Sequence, residues 1–284
     1  MQYKSFAFFV FLWTVFSLIA KGQSVTDPTF RLTDRKGWIS VGHHHNYDDY
    51  LSSVLYKGTV LAAGVEQTKL YSASWPYMAK YEGARFSVSS DQNPAKNANM
   101  AQGELECFYG AHFVYPVSDN LKLNIGAYSQ LDLGARSLLK NSNNPLNVVA
   151  NTDFWISLRG LYRLSLWGRD FVFIEHFSTP VFGVMFSPKY TELYYDIHYV
   201  DDYSGNFVLT TYGLRNQFRN DFSISFPVGR CTFSLGYVLE RAVCNVNKLE
   251  SRMLSSSFQI GFRKKLYSFK GKQSIPVMFI SSDF

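Results

Sequence analysis

The stretch LKLNIGAYSQLDL, residues 121–133, alternates apolar and polar side chains over its whole length. Its odd-numbered positions are Leu, Leu, Ile, Ala, Ser, Leu and Leu, and its even-numbered positions are Lys, Asn, Gly, Tyr, Gln and Asp. Successive side chains of a β-strand point to opposite faces, so this period predicts a strand with one apolar and one polar face. At 13 residues, the run is longer than the strands of about five or six residues that are typical of soluble sheets.

The same alternation recurs at residues 154–166, 218–226, 231–243 and 254–262. Each run reaches the roughly nine to eleven residues that a tilted strand needs to cross a bilayer. We predict ten strands, at about residues 36–45, 57–70, 77–90, 101–115, 120–136, 150–166, 170–178, 213–227, 230–244 and 252–267.

Short and long links alternate between these strands. The tight turns are at 71–76, 116–120, 167–170 and 227–230, and the long links are 89–100, 138–151 and 178–213. Barrels of bacterial outer membranes have short periplasmic turns and longer external loops. The sequence therefore predicts an all-β fold, an antiparallel transmembrane β-barrel. A secreted β-sandwich also alternates and is the simpler alternative.

The segment 179–212 decides between ten and twelve strands. Residues 190–199 and 207–212 could form two more strands or belong to a long external loop folded over the mouth of the barrel. Pro180 is expected to end the preceding strand early. The apolar run 179–186 is too hydrophobic for a solvated loop, so we expect it to fold against the barrel wall or into its mouth.

The first 22 residues have the pattern of a signal peptide. A basic start precedes an apolar run at residues 6–20, and Ala20-Lys21-Gly22 predicts cleavage after Gly22. Residues 23–284 are then one barrel domain, exported to the outer membrane of a Gram-negative bacterium. Removal of Lys4 and Lys21 lowers the net charge from +6 to +4, which gives no reason to expect a nucleic-acid partner.

Composition agrees with a folded chain that meets lipid. Charged residues make up 18% of the sequence and aromatic residues 17%, which excludes a disordered chain. The expected partner is outer-membrane lipid, with a small solute or a surface ligand on the long loops as further alternatives. We expect a monomer and no cofactor.

The polar face of the strands would line the lumen of a barrel. In a narrow barrel these groups would pair and plug it, and the alternative is a narrow pore whose Arg cluster favours anions. The predicted lumen-lining residues are Glu66, Glu104, Glu106, His112, Lys122, Asp132, Arg159, Arg163, Arg215, Arg219, Asp221, Glu240 and Arg263.

Histidine and cysteine give little indication of a metal site. On a strand, His43 and His45 face one side and His44 the other, so the three cannot converge on one ion. The three cysteines, at 107, 231 and 244, have no C-x-x-C spacing, and one pair could form a disulfide. We therefore predict no metal site.

His176-Phe-Ser178 is the one candidate for catalysis. Residues i and i+2 of a strand share a face, so an imidazole and a hydroxyl would lie side by side at the membrane rim, with Glu192 orienting the imidazole. The arrangement resembles the His-x-Ser of outer-membrane phospholipases and lipid A deacylases. Tyr190 stands where the deacylase spacing would place Glu. This alternative makes the chain a lipid acyl hydrolase.

Three strings resemble a known family: LKNSNNPLN at 139–147, STPVFGVMFSPKY at 178–190 and LRNQF at 214–218. They are similar to a family of uncharacterised outer-membrane proteins of Bacteroides-type bacteria, a domain of unknown function. The resemblance covers most of the mature chain and implies a signal peptide and a barrel. It implies no catalytic residues.

Overall fold

The structure is a computed structural model that describes residues 30–72, 75–141, 145–190, 192–200, 203–228, 231–266, 279–280 and 283. These residues form a closed antiparallel β-barrel. The predicted signal peptide lies outside the described residues, and domain boundaries at residues 22 and 23 stay a prediction.

The described strands are named in chain order. They are β1 (Phe30–Arg31), β2 (Thr33–Asp48), β3 (Ser52–Leu70), β4 (Met78–Gln92), β5 (Asn99–Ser118), β6 (Leu121–Ser137), β7 (Leu146–Leu166), β8 (Arg169–Phe186), β9 (Phe207–Thr211), β10 (Arg215–Val228), β11 (Cys231–Val246), β12 (Leu249–Leu266) and β13 (Phe279–Ile280). One helix, α1 (Tyr194–Val200), lies between β8 and β9. In the described part of the chain, no helix is long and apolar enough to span a membrane.

Ten strand positions close the barrel. Strands β2 to β8 pair in sequence, β10 pairs with β11, β11 with β12, and β12 with β2. The ring closes because β10 also pairs with β8, from Arg219↔Ser178 to Ser225↔Val172. Strand β9 pairs with the end of β8 and occupies the same position in the ring as β10. The prediction of ten strands is confirmed, and residues 190–199 and 207–212 add no further strand position. The short strands β1 and β13 pair with each other in parallel.

Strand β8 is longer than predicted. It continues through Pro180 to Phe186, so the apolar run 179–186 is part of the wall itself. Pro180 has no N–H to donate, and it is accommodated where the pairing shifts from Trp155↔Pro180 to Phe154↔Phe182. The expectation that Pro180 ends the strand is therefore wrong.

The alternation has the opposite sense to that of a soluble sheet. In β6, Ile125 and Leu133 are 59% and 46% exposed, whereas Asn124 and Asp132 are 1% exposed. A water-soluble sandwich buries its apolar face, and this chain exposes it around the barrel. The polar face points into the lumen, which excludes the sandwich.

The two ends of the barrel differ. The links 119–120 and 167–168 at one end are two-residue turns, and we call this the turn end. The opposite end carries the links 138–145 and 187–206, the second with α1, and we call it the loop end. The loop end also has the short links 49–51 and 247–248, and the turn end has the seven-residue link 71–77, so the predicted alternation of short and long links holds only in part.

Candidate functional site

The inward face of the turn end carries ion pairs between distant strands. Lys36 Nζ on β2 lies 3.8 Å from Glu66 Oε1 on β3 and 3.8 Å from Asp221 Oδ2 on β10. Arg159 on β7 pairs with Asp283 at 3.1 Å. We call this set, with Asp34 and Arg263, the turn-end ion pairs. Lys36 is 3% exposed, which fits charges held by partners and not by water.

Asp283 is held from several strands. Its carboxylate also contacts Arg263 Nη1, and Lys122 Nζ donates to its backbone oxygen at 3.1 Å. Burial alone would raise the pKa of Asp283, but the guanidinium groups of Arg159 and Arg263 hold it below its ordinary value. Asp283 is thereby held inside the lumen at the turn end.

An aromatic layer fills the middle of the lumen. The Tyr81 ring stacks on Phe108 at 4.9 Å and meets Tyr128 edge-on at 5.7 Å, and Tyr128 stacks on Trp155 at 5.8 Å. Tyr81, Tyr128 and Trp155 are 5%, 5% and 1% exposed. These rings belong to β4, β5, β6 and β7, so the layer spans four adjacent strands. His112 lies against Tyr81 at 4.8 Å and extends the layer.

Two glycines let the aromatic side chains lie flat on the wall. Gly110 is the cross-strand partner of Tyr128, and Gly126 that of His112. A Cβ at Gly110 would overlap the carbonyl oxygen of Ala127 and the backbone of Tyr128. The close approach of β5 and β6 at this level therefore requires glycine.

A second set of ion pairs lies on the loop-end side of the aromatic layer. Arg219 pairs with Glu240 at 3.0 Å, Arg136 with Asp48 at 3.0 Å, and His44 Nδ1 with Asp91 at 2.8 Å. The remaining pairs join Arg215 to Asp132 and Asp153, and Arg85 to Glu106. We call these the loop-end ion pairs.

A cavity of about 110 Å³ lies beside the loop-end ion pairs. One side is lined by small side chains on neighbouring strands, among them Ser40, Ala62 and Ser87. Ser187, Pro188 and Glu250, at the loop end, line its mouth. The cavity therefore belongs to the outer part of the lumen and not to its middle.

The link 187–206 packs over part of the loop end. The Tyr50 hydroxyl donates to the Glu192 carbonyl oxygen at 2.9 Å, and the Tyr194 hydroxyl donates to Asn147 at 2.8 Å. Burial raises the pKa of Tyr50 to about 12, and it raises the pKa of Tyr194 as well. Tyr194 packs on a buried cluster of Tyr50, Leu51, Tyr56, Met100, Leu138 and Leu249.

Glu192 forms hydrogen bonds within the link 187–206. Its carboxylate accepts hydrogen bonds from the Lys189 amide at 2.9 Å and from Asn206 Nδ2 at 2.6 Å. Burial opposes ionisation, but these hydrogen bonds and the Lys189 ammonium outweigh it and lower the pKa of Glu192.

The structure places the predicted lumen residues inside the barrel, with one exception. Arg163 lies at the rim of the turn end, where its Nη2 donates to the Asp119 carbonyl oxygen at 3.0 Å. Arg159, Arg215 and Arg219 do not form a free basic cluster, because each pairs with a carboxylate. The residues placed inside are Glu66, Glu104, Glu106, His112, Lys122, Asp132, Arg159, Arg215, Arg219, Asp221, Glu240 and Arg263.

The catalytic candidates are separated. His176 and Ser178 share one face of β8, as predicted, but this face is the lumen, where both line a cavity of about 20 Å³ with Tyr81 and Tyr128. The expected position at the lipid rim is wrong. Glu192 lies beyond the end of β8, and ten residues of strand separate Phe186 from His176, which is roughly 30 Å. Glu192 therefore does not orient the imidazole.

The histidine run follows the predicted alternation. His44 is buried inside the lumen, and His43 is exposed on the opposite face. Within the described ranges, no group of three His, Cys, Asp or Glu side chains is placed to hold a metal ion. All three cysteines are free thiols.

Sequence reasoning missed several inward residues. Asp153 has the same alternation parity on β7 as Arg159, so parity could have found it. Lys36 on β2 and Arg85 on β4 lie on strands for which no lumen residue was predicted. Asp283 gave no such signal, because it belongs to none of the barrel strands. Tyr128 was placed on the polar face of the run 121–133, whereas Tyr81 and Trp155 were not named as lumen residues.

The fold and the lumen define the class: a closed ten-stranded β-barrel with an ionic interior and an apolar exterior. The chain belongs to the family of proteins of unknown function DUF3316, which matches residues 7–273. This confirms the resemblance to a family of unknown function. No curated protein matches the chain significantly.

Several solved structures share the barrel form. The outer membrane protease OmpT from Escherichia coli has a TM-score of 0.47 at 9% identity, with 87% of this chain and 100% of that chain covered. The transport unit of the autotransporter AIDA-I from Escherichia coli has a TM-score of 0.44 at 9% identity, covering 88% and 94%. The β domain of the Bordetella autotransporter BrkA has a TM-score of 0.38 at 12% identity, with 83% of this chain and 99% of that chain covered. No activity of these proteins is transferred to this chain.

Proposed function

We propose that this chain is an integral outer-membrane β-barrel with a closed lumen, which serves a structural role in the membrane and is not an open diffusion pore. The observation that carries the closed lumen is the aromatic layer with ion pairs on both sides of it. The observation that supports a location in the membrane is the apolar exterior of the barrel.

The exterior matches the requirements of a lipid environment. Ile39, Phe258 and Ile260 on the adjacent strands β2 and β12 are 66%, 71% and 56% exposed. Soluble proteins rarely expose contiguous apolar patches of more than a few hundred Å². A closed barrel pairs its backbone groups between strands, which is what a bilayer demands of a spanning β-structure. Closed barrels with such a belt are typical of outer membranes, and the predicted signal peptide provides for export.

The interior opposes conduction. A permeating ion would have to pass Trp155 and Tyr128, which stack at 5.8 Å, and then the turn-end ion pairs. Lys36 joins β2 to β3 and β10, so separation of these charges is needed before the lumen can widen there. Breaking a buried ion pair costs about 3 kcal/mol or more.

The test is planar-bilayer recording with refolded protein. We expect heat-modifiable gel mobility, which reports a folded barrel, and no stepwise conductance in either KCl or a salt of a larger anion. Regular conductance steps from the wild type would overturn the closed lumen. A protein that keeps its β circular dichroism in plain buffer, with no detergent, would overturn the membrane assignment.

Each chain closes its own ring of ten strands, which supports a monomer. Sedimentation of the detergent complex should give one protein chain per particle. A stable trimer at low concentration would contradict this part of the proposal.

A further inference from the structure

The carboxylates around the outer cavity outnumber the cations. The loop-end ion pairs and Glu104 bring four guanidinium groups, those of Arg85, Arg136, Arg215 and Arg219, together with seven carboxylates. The carboxylates are Asp48, Asp91, Asp132, Asp153, Glu104, Glu106 and Glu240. His44 pairs with Asp91 and contributes a charge only if it is protonated.

Glu104 is the cavity carboxylate that forms no ion pair within 4 Å with a described residue, and Arg136 and Arg215 act on it only from a longer distance. Among the described residues that line the cavity, every other charged side chain has an ion-pair partner, including Glu250, which pairs with Arg252 at 2.7 Å. The Glu104 carboxylate accepts one hydrogen bond, from Gln102 Nε2 at 2.9 Å. A carboxylate can accept several more hydrogen bonds.

The wall around Glu104 leaves space in front of it. Its direct cross-strand neighbours are Ser87 on β4 and Gly134 on β6. The row continues through Ala62 to Ser40, which are register partners of each other on β3 and β2. These side chains are too short to reach the carboxylate and neutralise it. Ser87, directly opposite Glu104, offers a hydroxyl oxygen as an additional acceptor for a donor group bound there. Ser40 is three strands away from Glu104, roughly 14 Å, and borders the far side of the same cavity.

We infer that the outer cavity is a binding site for a small primary ammonium compound. Glu104 binds the ammonium group, and the hydroxyl oxygen of Ser87, directly opposite on β4, accepts another of its N–H bonds. A compact ammonium with three donors matches one carboxylate beside a hydroxyl. A hard metal ion does not, because Ca²⁺ takes about six to eight oxygen ligands.

The size of the cavity limits the ligand. A volume of 110 Å³ has room for about eight water molecules. It therefore suits a ligand of about six to eight heavy atoms. Access is from the loop end, between Ser187 and Glu250. The aromatic layer closes the other side, so the site binds and does not conduct.

The experiment is isothermal titration of the folded protein in detergent with 4-amino-1-butanol. We expect saturable binding, with 1,4-butanediol at least about tenfold weaker, because the diol lacks the charge that Glu104 recognises. Butylamine keeps the ammonium group that Glu104 recognises, so it should also bind, and more tightly than the diol. Equal binding of the diol and the amino alcohol would overturn the inference.

Three variants locate the site. Glu104→Gln should weaken binding about tenfold or more, whereas Glu250→Gln, the same change at the mouth, should not. Ala62→Leu fills the cavity and leaves Glu104 in place, so it should also abolish binding while keeping heat-modifiable mobility. Unchanged affinity in both Glu104→Gln and Ala62→Leu would sink the proposal. Failure here leaves the closed membrane barrel untouched, since conductance tests that independently.

Discussion

Arg159 on β7 forms an ion pair with Asp283, which is 124 residues further along the chain, inside the lumen of the barrel. Both side chains are at least 95% buried. The contact places Asp283 among the turn-end ion pairs, so charges from the barrel strands and from Asp283 meet inside the lumen there.

Removal of the Asp283 charge should destabilise the barrel. Asp283→Asn leaves Arg159 and Arg263 without their shared carboxylate, and we expect the free energy of unfolding to fall by about 3 kcal/mol. Urea titration followed by heat-modifiable mobility measures this change. The control is Asp119→Asn in the exposed turn 119–120, which should shift it by less than about 0.5 kcal/mol. Equal effects of the two variants on the free energy of unfolding would contradict a structural role for Asp283.

The aromatic layer should carry both stability and closure. Trp155→Ala removes a ring that is 1% exposed, and we expect a loss of about 3–5 kcal/mol together with the appearance of small conductance steps. Trp167, which is 90% exposed in a turn, gives the matched control. Trp167→Ala should leave the lumen closed. A stable and silent Trp155→Ala barrel would show that this layer is not the barrier.

Close packing of β5 and β6 can be tested with one methyl group. Gly110→Ala places a Cβ against Ala127 and Tyr128 and should cost about 1–3 kcal/mol. At Gly103, on the same strand, an added Cβ would meet no heavy atom within 4 Å. Gly103→Ala should therefore be nearly neutral. The comparison uses urea midpoints, and similar midpoints for the two variants would disprove the close approach.

The link 187–206 should loosen in acid. The folded-state pKa of Glu192 lies below its ordinary value of 4.5. Its hydrogen bonds therefore stabilise the link fully at pH values above 4.5, and this stabilisation is lost as the pH falls through the lower folded pKa. Limited proteolysis of the link should be slow at neutral pH and should become faster as the pH falls through the lowered folded pKa of Glu192. Glu192→Gln should be cut rapidly at neutral and at acid pH, and Asp196→Asn should behave as wild type. Acid-independent cleavage of the wild type would refute the role of Glu192.

The native cysteines report the lipid belt. Cys107 is exposed at the middle of β5, Cys231 at the start of β11, and Cys244 is buried. In permeabilised lipid vesicles, an apolar maleimide should label Cys107, while a charged maleimide should label Cys231 alone. Cys107→Ser and Cys231→Ser assign the signals. If the charged reagent modifies Cys107 as fast as Cys231, the middle of the barrel is not in lipid.

Much of the barrel could be predicted from alternation. The run 121–133 gave the strand β6 and the face of each residue, and the turns at 119–120 and 167–168 followed from local turn residues. The predicted strand 170–178 was too short, because Pro180 is a local signal for a strand end. The irregular pairing with Trp155 that accommodates it involves another strand and is invisible in the local sequence.

The site was predictable only as a set of inward residues. Parity placed Glu104 and Arg215 in the lumen, but it could not tell that Arg215 has two carboxylate partners and Glu104 has no ion-pair partner among the described residues. Partners across a barrel depend on how far each strand is displaced against the next, and that displacement accumulates around the ring.

The sequence by itself determined most of the strands and the face on which each of their side chains lies, because a β-strand has a period of two and its turns are encoded locally. It left ten and twelve strands as alternatives, and the tertiary structure decided for ten by pairing β10 with β8. The tertiary structure also decided what the inward face does, because closure of the ring and the position of Asp283 bring together charges and rings that are distant in sequence. Burial makes an unpaired charge costly, so the position of each partner decides the properties of the lumen.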